Sequence, residues 1–178
     1  MLIRAERSDD VAAVRAVVAA AFGDQPEVPA LVDLLRRSDA WRSGLSLVAE
    51  EAGAVVGHVL ATRGWLDAPA ALVEVLVLSP LSVRPDRQRR GIGSRLVRTL
   101  LELVAARPEP AVFLEGSPHY YSRFGFTAAG DHGIRKPSLR IPDAAFQVHW
   151  STPPSAALIG TLVYPDPFWV LDCVGLRS

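Results

Sequence analysis

The chain has 178 residues, 49% of them apolar, and nineteen basic side chains balance nineteen acidic ones. That is enough apolar material for one domain with a sizeable core and excludes a disordered tail, and the zero net charge excludes a global field that would gather nucleic acid or an anionic membrane, so an anion site has to be local. The single cysteine, Cys173, can form no internal disulfide, the N-terminus turns acidic before any apolar segment develops, and no stretch reaches about 18 consecutive apolar residues; together these predict a soluble, cytoplasmic protein in a reducing compartment.

In chain order, "LIRAERSDD" predicts a short strand and a polar turn in which Ser8 or Asp9 caps the next helix. Val11, Val14, Val18 and Phe22 recur at helical spacing, and a second helix is expected from about Val28 to Arg37, with Leu31, Leu34 and Leu35 inward. "LSLVAEEAGAVVGHVLAT" predicts two strands joined by a turn around Glu51 to Gly53. "LVEVLVLSPLSV" predicts a buried strand in which Pro80, unable to donate to a ladder, marks a bulge or a local separation from the neighbour.

The next stretch, "SVRPDRQRRGIGSRL", sets five arginines and a glutamine around two glycines, just before the apolar periodicity of Ile92, Leu96, Leu100, Leu103 and Val104. A helix start exposes unpaired N–H groups and partial positive charge, which suits phosphate. Gly91 and Gly93, lacking Cβ, would let the backbone approach a ligand, with Arg87, Arg89 and Arg90 as rim donors. A dinucleotide fingerprint fits poorly: Glu115 mimics its ribose acid, but Leu96 fills the third glycine position and a charged segment separates strand from glycines. A Gly-Lys-Ser/Thr phosphate loop is absent. The alternative of a merely solvated helix entrance stays open at this point.

Beyond the helix, "AVFLE" predicts a short buried strand, and "GSPHYYSRFGF" a helix with Ser117 as N-cap, Pro118 at its first position and Gly125 as terminator. "AFQVHW" and "ALIGTLVY" supply strand candidates in a tail richer in Pro and Gly. Helices alternating with strands in the middle, and hairpins towards the ends, predict a mixed α/β fold. His58, His119, His132 and His149 show no ligand spacing, so no metal is expected.

"QRRGIGSRL" resembles the acyl-CoA loop of the GNAT superfamily of N-acetyltransferases, with Gln88, Gly91 and Gly93 at the motif positions, and "YYSRFGF" is similar to its later motif through Tyr121, Gly125 and Phe126. The close match covers about Leu76 to Phe126. The resemblance implies a single domain over residues 1–178, of which 127–178 is the less typical part, with a twisted, mostly antiparallel sheet splayed between two central parallel strands and flanked by helices. It also implies an enzyme: direct transfer of acetyl from acetyl-CoA to a primary amine on a small molecule or peptide, without metal, nucleic acid or membrane. Cofactor contacts would come from Leu81, Ser82 and Val83 and from Gln88, Arg89, Arg90, Gly91, Ile92, Gly93 and Ser94. Tyr121 would serve as general acid to the CoA thiolate. The strand position that holds a glutamate in some members is Val77 here, so Glu74, Glu115 or His119, acting through water, are the base candidates. A non-catalytic acyl-CoA-binding module is the alternative; an arginine-patch nucleic-acid binder lacks interleaved aromatics.

Overall fold

A computed structural model describes residues 1–175, which form two compact units. The fold is mixed α/β with a mostly antiparallel sheet flanked by helices, as expected.

The first unit comprises Met1–Thr62 and Leu78–Ala106. β1 (Leu2–Ala5) pairs antiparallel with β2 (Ser46–Glu51), and β2 with β3 (Ala54–Asp67) across a two-residue turn. Both turn residues, Ala52 (φ 50°) and Gly53 (φ 78°), lie in the left-handed region, which matches the twist of a tight hairpin. Ser8–Asp10 form a 3-10 turn, and α1 (Val11–Phe22) follows with Val14, Val17 and Val18 buried. Neither Ser8 nor Asp9 caps this helix: Asp10 stands at the N-cap without a side-chain cap bond. Its carboxylate instead accepts the Arg7 N–H at 2.8 Å and an Arg4 Nη2 bond at 2.9 Å. α2 (Glu27–Arg36) buries Leu31, Val32 and Leu35.

A buried polar cluster ties α2 to the strands. Glu6 takes a hydrogen bond from Arg36 Nη2 at 2.6 Å and another from the Ser46 hydroxyl, while His58 Nε2 lies 2.9 Å from Ser46 Oγ. Because the Ser46 proton goes to Glu6, Nε2 must carry the imidazole proton for that contact to be a hydrogen bond.

β4 (Leu72–Val83) is continuous through Pro80, with a cis Ser79–Pro80 peptide, but its parallel pairing with residues 111–115 stops at Val77, which is the local separation from the neighbour expected around Pro80. α3 (Ile92–Val104) has Ile92, Leu96, Val97, Leu100 and Val104 buried, each large side chain contributing about 1.5–3 kcal/mol relative to exposure, whereas Leu103, expected on the same face, is exposed. Its approach depends on Gly57, where a Cβ would lie 3.0 Å from Leu96 Cδ1 and 3.1 Å from Ile92 Cγ2.

The second unit comprises Arg63–Val77 and the chain from Arg107 onward. β5 (Ala111–Glu115) pairs parallel with β4 at Leu76↔Val112 and Val77↔Phe113, and antiparallel along its whole length with β8 (Phe146–Trp150). The short α4 (Pro118–Tyr121) passes into a 3-10 turn ended by Gly125 in the left-handed region (φ 80°), as the Ser-Pro start and Gly stop predict. β6 (Thr127–Ala128) pairs with β8, while β9 (Gly160–Val163) pairs with β3 on one side and β7 (Ile134–Arg135) on the other. α5 (Asp166–Val170) follows. The two-residue strands and α5 were not expected, since such short pieces have too few residues to show a period.

Candidate active site

In the first unit, β4 delivers the chain into a 3-10 turn, Pro85–Arg87, and then the glycine loop. Arg84 and Arg87 are not rim donors. Arg84 pairs with Asp86 at 2.7 Å, and Arg87 is committed to Glu51 at 3.0 Å and Asp86 at 2.8 Å. Gln88 folds back so that Nε2 donates to the Val83 carbonyl at 3.1 Å, fixing the loop to the strand end. Arg89 (φ 60°) and Gly91 (φ 80°) both sit in the left-handed region, uncommon for a residue with a side chain. Arg89 and Arg90 remain exposed.

Gly91 is the N-cap of α3, and its carbonyl accepts the first helical bond from the Arg95 N–H at 3.0 Å. No side chain caps this start, so helix geometry leaves the N–H groups of Gly91, Ile92, Gly93 and Ser94 without intrahelical acceptors. A Cβ built on Gly91 meets nothing within 4 Å, so the space beside it is open. On β4, Ser82 is 1% exposed with no hydrogen-bond partner for Oγ among the described residues, between half-buried Leu81 and Val83. Unpaired amides at a helix start, open space beside Gly91 and an orphaned buried hydroxyl on the preceding strand fit a phosphorylated ligand whose remainder bears hydrogen-bonding groups.

A separate cavity of about 690 Å³ in this unit is lined by α1, the hairpin turn and the Arg84–Asp86 segment. The charges at its edge already pair with one another, Arg4 with Asp10 and Arg84 with Asp86.

In the second unit, the structure brings Tyr121 and Glu115 to the two sides of one glycine. A Cβ on Gly116 would lie 2.4 Å from Tyr121 Cε2, so the ring rests against the bare backbone beside Glu115. Tyr120, Phe124 and Phe126 surround the ring edge-on at centroid distances of 4.9, 6.4 and 5.7 Å. Burial, with a smaller contribution from Tyr120, pushes the Tyr121 phenol well above its usual value, so it stays protonated near neutral pH. Glu115 Oε2 accepts the Gly175 N–H at 2.9 Å. Burial raises the Glu115 pKa; the nearby Tyr164 phenol, the Gly175 N–H and the Arg140 charge offset only part of the rise.

Glu74 lies elsewhere. The β4–β5 register sets it level with position 110, about 16 Å along the strands from Glu115, and its charge acts on Arg107. His119 is exposed on α4, and Val77 is buried against Gly64. Sequence reasoning missed two residues here. Gly116 carried a signal in principle, a glycine directly after a buried strand, whereas Gly175 reaches Glu115 from 60 residues away, beyond any local pattern. Among the described residues, no group of three or more His, Cys, Asp or Glu side chains is placed to hold a metal ion, and no helix is long and apolar enough to cross a membrane.

Residues 2–129 match the family described as Acetyltransferase (GNAT) domain. The uncharacterized N-acetyltransferase YjhQ of Escherichia coli is 36% identical over 166 residues, covering 89% of this chain and 88% of that protein. The uncharacterized N-acetyltransferase YhbS of the same organism is 32% identical over 152 residues, covering 84% and 86%. The crystal structure of Escherichia coli YhbS in complex with CoA superposes with a TM-score of 0.82 at 28% identity, covering 94% of this chain and 91% of that one. A GNAT family acetyltransferase from Brucella melitensis in complex with acetyl-CoA gives 0.76 at 32% identity, covering 94% and 97%.

Proposed function

Because this chain belongs to the GNAT acetyltransferase family and is an N-acetyltransferase, we propose that it transfers acetyl directly from acetyl-CoA to a primary amine, with Glu115 receiving the amine proton and Tyr121 donating to the leaving sulfur. The observation that carries this reading is the start of α3 at Gly91–Ser94, which no side chain caps and which has open space beside Gly91. CoA and acetyl-CoA are bound in the YhbS and Brucella relatives respectively. When bound, acetyl-CoA supplies an activated thioester carbonyl.

The amides of Gly91–Ser94 hold the diphosphate, with exposed Arg89 and Arg90 adding charge. The β4 segment Leu81–Val83 offers main-chain groups, and the Ser82 hydroxyl, to the rest of the cofactor and to the oxyanion. An amine with a pKa of about 10.4 is almost wholly protonated near neutral pH, and freeing its lone pair costs roughly 4 to 5 kcal/mol. A carboxylate whose proton affinity has been raised by burial, as that of Glu115 has, makes this transfer less uphill than a solvated one would. Tyr121 remains a proton donor throughout. Full transfer from so weak an acid to a thiolate whose thiol pKa is about 8.5 runs uphill, so Tyr121 contributes chiefly a hydrogen bond that strengthens as charge builds on sulfur.

A panel of primary amines incubated with the protein and acetyl-CoA, read by free CoA release, tests the proposal. Amine-dependent release that falls in Tyr121→Phe and Glu115→Gln supports it. Tight acetyl-CoA binding with no release on any amine would instead make the chain an acyl-CoA-binding module.

A further inference from the structure

We propose that one buried water, held between His58 Nδ1 and Ser82 Oγ, ties the cofactor-binding part of β4 to the cluster of Glu6, Ser46 and Arg36 and makes His58 a positioning residue for the main-chain groups of Leu81 and Val83. The inference rests on the reading of Leu81–Val83 as part of the acetyl-CoA site. β3 and β4 are neighbours in the sheet. The Arg84 N–H donates to the Val56 carbonyl at 2.9 Å, and a Cβ on Gly57 would lie 3.3 Å from the Ser82 carbonyl oxygen, so the strands run in opposite directions and His58 comes opposite Ser82. Side chains directly opposite one another share a face of the sheet. Gly57 faces Ile92 and Leu96 of α3, so His58 and Ser82 face the other way, where Ser46 and Glu6 lie.

The protons on this face leave a matched donor and acceptor. Ser46 gives its proton to Glu6, so His58 donates from Nε2; burial keeps the ring neutral near neutral pH, and Nδ1 is then a bare acceptor. The charged groups that act on the ring are Glu6, from the segment after β1, and Arg36, from α2, which pair with each other at 2.6 Å. The one titratable side chain of α1, Arg15, is exposed and pairs with Asp33. His58 is 0% exposed and Ser82 1%, and neither Nδ1 nor Oγ has a hydrogen-bond partner among the described residues. One water that accepts the Ser82 proton and donates to Nδ1 satisfies both, and a lone pair on Oγ stays available to the cofactor. The same register turns the main-chain groups of Ser82 towards β3 and those of Leu81 and Val83 away from it. That outer edge is free of β5, because the β4–β5 ladder ends at Val77, and the Val83 carbonyl takes the Gln88 bond. The hold of β3 on Ser82 therefore sets how Leu81 and Val83 present themselves to the cofactor.

The test combines a high-resolution crystal structure of the unaltered protein with acetyl-CoA calorimetry and thermal melts on Ser82→Ala, His58→Gln, His58→Asn and the double variant of Ser82→Ala with His58→Gln. The crystal structure should show one ordered water within hydrogen-bonding distance of both Nδ1 and Oγ; it needs no variant, and so covers the case in which a position-58 variant fails to fold. A glutamine amide reaches the place of Nε2, and an asparagine amide that of Nδ1. His58→Gln therefore keeps the contact with Ser46 and loses the one with the water, and His58→Asn does the reverse. Ser82→Ala and His58→Gln are each expected to weaken acetyl-CoA binding about fivefold, and the double variant no more than either. His58→Asn should weaken binding less than His58→Gln but lower Tm more, an order that a merely structural role would not produce. A site without the water, additive losses in the double variant, or affinities that follow Tm across the single variants overturn the positioning role. No binding of acetyl-CoA to the wild-type protein overturns the underlying reading of the cofactor site instead.

Discussion

The Tyr121 ring occupies the space that a side chain at Gly116 would need: a Cβ there would sit 2.4 Å from Cε2 and 2.8 Å from Cδ2. The constraint is one of room, because Gly116 is not in the left-handed region. Gly116→Ala therefore has to push the ring aside, and a displacement of about 1 Å in a reacting group can cost up to about a hundredfold. We expect kcat to fall ten- to a hundredfold while acetyl-CoA affinity stays within about twofold, measured by steady-state kinetics and calorimetry. Unchanged kcat would mean that the position of this ring does not matter to turnover.

Tyr121→Phe removes the hydroxyl and leaves the packing against Tyr120, Phe124 and Phe126 in place. Turnover should drop by about a hundredfold, with Tm and acetyl-CoA binding preserved. Wild-type turnover in this variant removes Tyr121 as the donor to sulfur.

Gly91→Ala tests the loop from the side of backbone strain. At φ 80° an alanine costs about 1–2 kcal/mol, and since a Cβ there meets nothing, no clash adds to it. Tm should fall by about 2–8 °C, and acetyl-CoA affinity should weaken as the amides lose their alignment. A variant with lowered Tm and undiminished affinity would separate the loop's conformation from ligand binding.

The cluster of Glu6, Ser46 and His58 predicts how stability varies with pH. Complete burial depresses the His58 pKa, and hydrogen bonding to Glu6 only partly opposes this; Glu6 also ends up depressed, because bonds from His58 and Ser46 and the Arg36 charge outweigh its own desolvation. A histidine whose folded pKa lies below its unfolded value of about 6.5 contributes stability that is intact above that value and is lost as pH falls through the folded one. Tm should thus decline from about pH 6.5 downward, with a slope from His58 of at most about 1.4 kcal/mol per pH unit. Glu6 adds its own loss lower, below about pH 4.5. His58→Gln should flatten the first part of the decline, as thermal melts across pH 5 to 7.5 would show; the same slope in the variant would contradict the assignment.

Much of the fold was legible because its parts carry strong local periods. The α3 stripe of Ile92, Leu96, Leu100 and Val104 sets one face of a helix, and the Ser117-Pro118 start and Gly125 stop delimit a short one. Other features depend on distant partners and could not be read locally. Asp10 was drawn from simple capping by Arg4 on β1, and Arg87 from the loop rim by Glu51 on β2. Pro80 signalled a separation from the neighbouring strand, and the β4–β5 ladder ends three residues before it, at Val77. At the candidate site, Glu115 and Tyr121 could be named from sequence, but only folding shows that the Tyr121 ring rests on the bare glycine next to Glu115 and that the Gly175 N–H holds the carboxylate.

The central claim is that the main-chain amides at Gly91–Ser94 grip the diphosphate of acetyl-CoA, and a calorimetric comparison of acetyl-CoA with acetyl-pantetheine, which lacks that group, tests it most directly. Two or more charge-assisted hydrogen bonds, at about 1.5 kcal/mol or more each, predict that acetyl-pantetheine binds at least about a hundredfold more weakly. Equal affinities, or no heat with acetyl-CoA at all, would contradict it.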